Sequence, residues 1–429
     1  LKERLSFLLN RIGERLWVKP LIMCVVSIVV VFGAKMADRS GLGDRVPEIT
    51  VDLLEKLLTI MSSSMLVIAT FAVSSMVASY ASASSTATPR SFSLVLADDV
   101  SQNALSTFIG AFIFSIVALV VLKSGYFASP GRFALFLLTL TVLASVILTF
   151  VNWVDRIARL GRLGATIDKV EAAATASLTK RRRAPTQGCA PAGSAHPQGT
   201  PVVGHRVGYL QRIDAATLET VAAAAGVTVR VAALPGSFVT PDRPIAYVAG
   251  EDTPVDEVDM DRLRSGFVIG DDRTFDEDPR FGLIVLAEIA SRALSPAVND
   301  AGTAIDVIGT FVRLFALWSE PVEEEELAPI ECEHVLMPTV CADDMFDDAF
   351  TAIARDGAGA IEVASRLQKA FRTLASIGDG PMQRAAERHA RHALSRAERA
   401  LDLPEEIEIL RSLSGIGSAG VGPPDSRKR

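Results

Sequence analysis

The sequence predicts an α-helical membrane protein, with four transmembrane helices followed by a mixed α/β cytoplasmic region. Three observations predict it. Four apolar runs, at 21–35, 57–83, 105–122 and 133–154, lie in the N-terminal part, and no comparable run follows. Lys and Arg crowd before the first run and after the fourth. The remainder alternates short strand-like and helix-like patterns and is rich in Asp and Glu.

A bilayer core of about 30 Å takes roughly 20 mostly apolar residues per helix. The third and fourth runs contain no charged residue and meet that length. The first is shorter, but Trp17 and Lys19 suit an interface and extend it, and Pro20 suits a first helical turn. A cleaved signal peptide is the alternative for this run, and Gly33–Ala34–Lys35 is a poor cleavage site. The second run carries many hydroxyls, among them Ser63, Thr70, Ser74, Ser75 and Ser79. Small hydroxylated residues either let helices pack closely or line a polar path, so these five are candidate pore-lining residues. The basic flanks place both termini in the cytoplasm of a bacterial inner membrane by the positive-inside rule. The loop at 89–103, with Arg90 as its one basic residue, adds little to that orientation. The chain opens on Leu1 rather than Met, which leaves its natural start open.

The net charge of −7 is uneven, with basic flanks to the spans and an acidic remainder. That sign argues against nucleic acid and is compatible with cation attraction or with solubility. The four cysteines, Cys24, Cys189, Cys332 and Cys341, form no disulfide framework.

The expected organisation is a four-span domain at 1–155, a connecting helix at 156–180 and a flexible linker at 181–204. A small β-rich module at 205–250, a mainly helical cytoplasmic domain at 251–403 and a mostly disordered tail at 404–429 follow. Ile157, Leu160, Leu163 and Ile167 carry helical spacing into the connecting helix. The run Lys180–Arg181–Arg182–Arg183 suits anionic headgroups or solvent. Asp214 is placed to cap a helix ending at Gly226, and Pro235–Gly236 marks a turn between strands. The acidic stretch at 251–278 lacks the alternating spacing of a calcium loop. Glu288 and Arg292 stand four apart on the most amphipathic helix, in the favourable order for an ion pair. Asn299 or Asp300 can cap the next helix, or face a ligand, an ion or a neighbouring subunit. Cys332, His334 and Cys341 are a fragment of a zinc pattern without a fourth ligand.

Several motifs together resemble the bacterial predicted-membrane-protein family called domain of unknown function 2254. They are Gly208–Tyr209–Leu210–Gln211–Arg212–Ile213–Asp214 and Pro235–Gly236–x–Phe238–Val239. Asp271, Asp272, Arg273, Thr274, Asp278–Pro279, Glu288, Arg292, Ser295, Asn299, Asp300 and Thr303 complete the set. The chain departs from the family at Ala301–Gly302, where Pro is usual, and at Asp98–Asp99, where basic residues are usual. The resemblance implies four spans and a cytoplasmic C-terminal region, and it implies no activity.

No phosphate loop, activated nucleophile, metal motif or cofactor motif stands out, so no catalytic residue is nominated. Three functions remain open. An oligomeric channel or transport-related protein is favoured by the hydroxyl-rich second run. A membrane-anchored ligand-sensing or regulatory protein, taking a cation or a small molecule, is the alternative. A membrane enzyme would use the Asp271/Arg273/Asp300 cluster. The expected partners are the lipid bilayer and further copies of the chain.

Overall fold

The computed structural model describes residues 18–39, 47–86, 88–91, 94, 99–159, 163–193, 198–250 and 258–414. Contacts divide the chain into two compact units, Leu1–Thr166 and Ile167–Arg429.

The first unit holds α1 (Val18–Gly33), α2 (Val51–Thr86), α3 (Asp99–Lys123) and α4 (Ser129–Arg159). Helix α3 packs against the other three. On α2 the inward face is Leu54, Leu58, Met61, Met65, Ala69, Ala72 and Met76, spaced by three or four as helix packing requires. Close approach of α1 to α3 is allowed by Gly110, whose amide carbonyl accepts a 3.0 Å hydrogen bond from the Ser27 hydroxyl. Asp38 accepts from the amides of Ala128 (3.2 Å) and Gly131 (2.6 Å), capping the start of α4. The outer faces are apolar: Val25 and Val29 on α1, Val67 and Phe71 on α2, Val120 on α3, Leu148 and Val151 on α4 are all exposed. A helical unit that satisfies its backbone internally and turns aliphatic side chains outward suits a hydrocarbon solvent.

The second unit begins within α5 (Leu163–Arg183) and has a β part and a helical part. Eight strands form two sheets: β1 (Cys189–Pro191), β2 (Thr200–Val203), β3 (Gly208–Ile213), β4 (Thr228–Val231), β5 (Phe238–Val239), β6 (Pro244–Ala249), β7 (Phe267–Gly270) and β8 (Cys332–Met337). The larger has the order β1-β8-β4-β6-β2, with β8 parallel to both neighbours, and the smaller is antiparallel with the order β5-β3-β7. Helix α6 (Ala215–Ala225) packs on β4 and β8. Asp214 caps it by accepting from the Thr217 amide, and Gly226 closes it in the left-handed region at φ 63°.

The helical part comprises the short α7 (Met260–Ser265), then α8 (Phe281–Ala293), α9 (Ala301–Ser319), α10 (Ala342–Asp356), α11 (Ile361–Ile377), α12 (Gly380–Ala400) and α13 (Pro404–Ser414). Helix α8 is buried nearly all round, and Gly282 gives it contact with Ala174 of α5. A phenylalanine cluster fills the centre, with ring centroids of Phe315 and Phe346 at 4.5 Å, Phe350 and Phe371 at 4.9 Å, and Phe311 and Phe350 at 5.2 Å. Each such burial contributes about 1.5–3 kcal/mol.

Among the described residues five helices are long and apolar enough to cross a membrane, the fifth being α9. That helix differs from the first four. Its apolar face, Val307, Ile308, Phe311, Leu314 and Phe315, is buried in the helical part, and its Arg313 is bridged to Glu171 at 2.6 Å.

Three expectations need correction. The expected linker at 181–204 contributes the end of α5 and strands β1 and β2, because edge pairing with β8 and β6 gives its Pro- and Gly-rich backbone hydrogen-bond partners. The expected module at 205–250 is not closed on itself. Strands β7 and β8, from the region read as mainly helical, complete its two sheets. The expected tail starts with α13, whose Leu410 is fully buried against Ala364, Leu394 and Ala397, while residues 415–429 lie outside the described residues. The expected connecting helix at 156–180 is helical as far as Arg159, in α4, and again from Leu163, in α5, and residues 160–162 lie outside the described residues.

Candidate functional site

Each member of the basic run ending α5 has a partner within the second unit, with Lys180 and Arg183 exposed and Arg181 and Arg182 turned inward. Lys180 pairs with Glu277 at 2.5 Å, Arg182 with Glu320 at 3.7 Å and Arg183 with Glu326 at 3.3 Å. Arg181 differs from its neighbours. It is 5% exposed, its Nη2 donates to the Glu277 carbonyl at 3.1 Å, and its Nη1 has no hydrogen-bond partner. Burial pushes its pKa down, and nearby Glu277 and Asp278 only partly oppose that.

Arg181 borders a pocket of about 240 Å³ whose walls include Gly236, Arg273, Arg280, Thr339, Cys341 and Asp344. Each wall follows from local structure. The Pro235–Gly236 turn sits at φ +95° for Gly236, a region that favours glycine. A Cβ there would meet the Asp278 carboxylate and stand 2.6 Å from Arg273 Nη2. The turn therefore presses backbone directly onto an ion pair. In that pair Arg273 Nε donates to Asp278 Oδ2 at 2.7 Å, with Asp278 only 1% exposed. The other carboxylate oxygen accepts from the Arg280 amide at 3.1 Å, at the start of α8. A carboxylate at a helix N-terminus also meets the positive end of the helix dipole.

Arg280 leads away from α8 to α10. Its Nε donates to Asp348 and its Nη1 to Asp344, both at 2.6 Å. Burial works against the Arg280 charge, but these carboxylates hold its pKa above the ordinary value. Arg273 lies over the Phe281 ring at 5.4 Å. The carboxylates are thus paired with guanidinium groups, and three arginines, Arg181, Arg273 and Arg280, line the pocket.

A family model described as a predicted membrane protein, DUF2254, matches residues 13–373. The chain belongs to that family. Over 111 residues it is 35% identical to an uncharacterized protein of Mycobacterium bovis and to one of Mycobacterium tuberculosis. That stretch is 25% of this chain and 21% of each relative, so the match spans about a fifth of the relatives' length. No solved structure matches the chain.

The structure of this DUF2254 chain separates the sequence-nominated residues into several groups. Asp278 and Arg273 join the pocket. Asp271 instead pairs with Arg206, Asp272 is exposed and its carbonyl accepts from Gln211 at 2.7 Å, and Thr274 is half-buried nearby in sequence. Glu288 and Arg292 stand one turn apart along α8. Beyond its far end, Ser295 donates to the Arg292 carbonyl at 2.7 Å, and Asn299 takes a left-handed φ of 50°. Asp300 caps α9, accepting from the Thr303 amide at 3.1 Å and the Thr303 hydroxyl at 2.6 Å. These bonds hold the Asp300 carboxyl below its ordinary pKa. Helix α8 spans 13 residues, which puts about 20 Å between its ends. The proposed Asp271/Arg273/Asp300 cluster is therefore not assembled, since each member has a different partner.

The zinc fragment is dispersed as well. Cys332 stands opposite Cys189 across β1 and β8, His334 Nδ1 is 2.7 Å from Glu219, and Cys341 precedes α10. Burial pushes the Cys189 thiol up to about 12, which makes it unreactive.

On α2 the nominated hydroxyls lie off the packed face. Ser63, Thr70 and Ser74 are exposed, while Ser75 and Ser79 are half-buried. Ser63 donates to the Thr59 carbonyl at 3.0 Å, Thr70 to Leu66 at 2.8 Å and Ser74 to Thr70 at 3.0 Å. Such back-bonding satisfies a hydroxyl within its own helix.

Sequence reasoning missed Arg181, Arg280, Asp344 and Asp348. A signal existed for Arg280, which directly follows Asp278–Pro279. For Arg181 there was none, because a residue inside a basic run carries no mark of burial.

Proposed function

We propose that this chain is a membrane-anchored ligand-binding protein with a sensing or regulatory role. In this reading α1–α4 span a bacterial inner membrane, both termini are cytoplasmic, and the second unit takes a small ligand. The observation that carries it is convergence. The turn at Gly236, the Arg273–Asp278 pair, the start of α8 and the start of α10 meet around one pocket. Four spans rather than five are supported by the burial of the α9 apolar face among soluble helices.

The test is thermal stability of the full chain in detergent against a panel of small ligands. A bound ligand raises the midpoint by mass action. The exposed Thr339 at the pocket rim offers a steric block, so Thr339→Trp should remove the response while leaving the unliganded midpoint nearly unchanged. A response that survives that substitution moves the site elsewhere.

A second reading, an oligomeric conduit, is favoured by one observation: the α2 hydroxyls face outward, where another copy of the chain can meet them. Four helices in one chain leave the path, if any, to a symmetric assembly. Ion flux in liposomes that disappears in Ser74→Leu supports it, and a reconstituted assembly silent under voltage and tension counts against it.

A further inference from the structure

We propose that the pocket is an oxyanion site for the phosphate group of a small molecule, an inference that rests on its being a ligand site at all. Charge accounting leads there. Arg280 is satisfied by two carboxylates, Asp344 and Asp348, and Arg273 by Asp278. Arg181 has no carboxylate in contact, and Glu277, which lends it a carbonyl, gives its carboxylate to Lys180. An arginine 95% buried with one bare nitrogen is costly to keep, because the carbonyl bond from Glu277 and the nearby Glu277 and Asp278 charges only partly replace the hydration it loses.

Chemistry then narrows the ligand. A planar guanidinium fork matches a tetrahedral or carboxylate oxyanion in two parallel hydrogen bonds. Arg273 engages Asp278 through Nε, and no other hydrogen bond of its guanidinium is present among the described residues. Helix α10 adds a second contribution. It is 15 residues long, its N-cap, Cys341, makes no side-chain cap hydrogen bond, and Cys341 and Asp344 at its start line the pocket. Asp343 and Asp344 oppose an anion there. Asp344 is turned to Arg280 at 2.6 Å, and Asp343 to Arg388 at 3.0 Å. At about 240 Å³ the pocket is smaller than the roughly 300–1,000 Å³ that holds drug-sized ligands, so the ligand is compact. Inorganic phosphate, pyrophosphate or a short phosphomonoester fits that size class. An anionic lipid headgroup presents the same phosphate chemistry, and the experiment separates the two sources.

The full chain in neutral detergent is titrated with inorganic phosphate and with pyrophosphate at constant ionic strength, chloride serving as control. A parallel titration uses micelles doped with phosphatidylglycerol. Saturable stabilisation by at least one oxyanion is expected, absent with chloride. Arg181→Gln should weaken that binding roughly tenfold or more. It should also raise the midpoint of the unliganded protein, because an uncompensated buried charge has gone. Arg181→Lys should restore part of the affinity, and Arg313→Gln, whose partner Glu171 lies outside the pocket, should leave the anion response unchanged. A purely structural Arg181 gives the reverse pattern: Arg181→Gln lowers the unliganded midpoint and leaves the anion response intact, and that overturns the proposal. Stabilisation by uncharged ligands alone, blocked by Thr339→Trp, overturns the oxyanion assignment but keeps the binding reading. No response to any ligand, with Thr339→Trp silent, overturns both. A response confined to phosphatidylglycerol assigns the phosphate to a lipid headgroup.

Discussion

The two ends of α8 carry equally specific sequence motifs, yet they are built differently. At the C-terminal end, Ser295, Asp300 and Thr303 satisfy one another and the adjacent backbone, and Asn299 supplies the left-handed residue that turns the chain. At the N-terminal end, Asp278, Arg273 and Arg280 recruit partners from a turn some 40 residues earlier and a helix some 65 residues later, and leave a cavity among them. The comparison teaches that motif density alone does not mark function. A corner whose polar groups close on themselves is architecture, whereas polar groups that converge from distant segments around empty volume are what the proposed site is built on.

Substitutions can break or sharpen that contrast. The largest effect is expected for Asp278→Ala, which leaves Arg273 without its partner and removes the acceptor of the Arg280 amide at the start of α8. Such losses cost about 3–5 kcal/mol, and protease resistance of the second unit should collapse. Gly236→Ala comes next. At φ +95° with Asp278 and Arg273 in the way, it should cost about 1–3 kcal/mol and reduce ligand affinity, read as a lowered midpoint and a weakened ligand response. Asp300→Ala removes a helix cap worth about 1 kcal/mol and should leave ligand binding unchanged. The same cap predicts a pH dependence. The folded-state pKa of Asp300 is depressed, so its stabilisation is present above the unfolded value of about 3.9 and is lost as pH falls through the lower folded value. A melting series from pH 6 to pH 2.5 should therefore converge for wild type and Asp300→Ala at the acid end. The smallest effect belongs to Asp271→Ala. Its ion pair with Arg206 is surface-exposed, with the Asp271 side chain at 90%, and stability should change by about 0.5 kcal/mol or less.

What the sequence revealed and concealed follows from the range of the interactions. Local features were legible: the Asp214 and Gly226 caps, the Pro235–Gly236 turn and the four apolar runs each depend on neighbours within a few residues. The expectation that α8 is the most amphipathic helix was wrong, because partners from distant segments bury it nearly all round, while α10, α11 and α12 have the sharper division into apolar and polar faces. Long-range features were not. Cys189–Pro191 looks like linker because its partner strand, Cys332–Met337, lies far along the chain. Arg181 looks like its basic neighbours because helical rotation, rather than composition, turns it inward while Lys180 remains exposed. The pocket itself was invisible for the same reason. Its motifs could be recognised one by one, but nothing in their spacing says that Gly236 touches Asp278.

Strand β8 has a temporal consequence. It lies between β1 and β4 in the larger sheet, and it pairs with a strand about 140 residues earlier. During synthesis, which proceeds from the N-terminus at roughly 5–20 residues per second, β1, β4 and β6 must wait for Cys332–Met337 before the sheet can close. Until then the apolar faces of Val229, Val231 and Leu218 lack a cover. Nascent chains ending shortly before Cys332 should therefore aggregate or bind chaperones, whereas those ending after Met337 should acquire protease resistance in the β part.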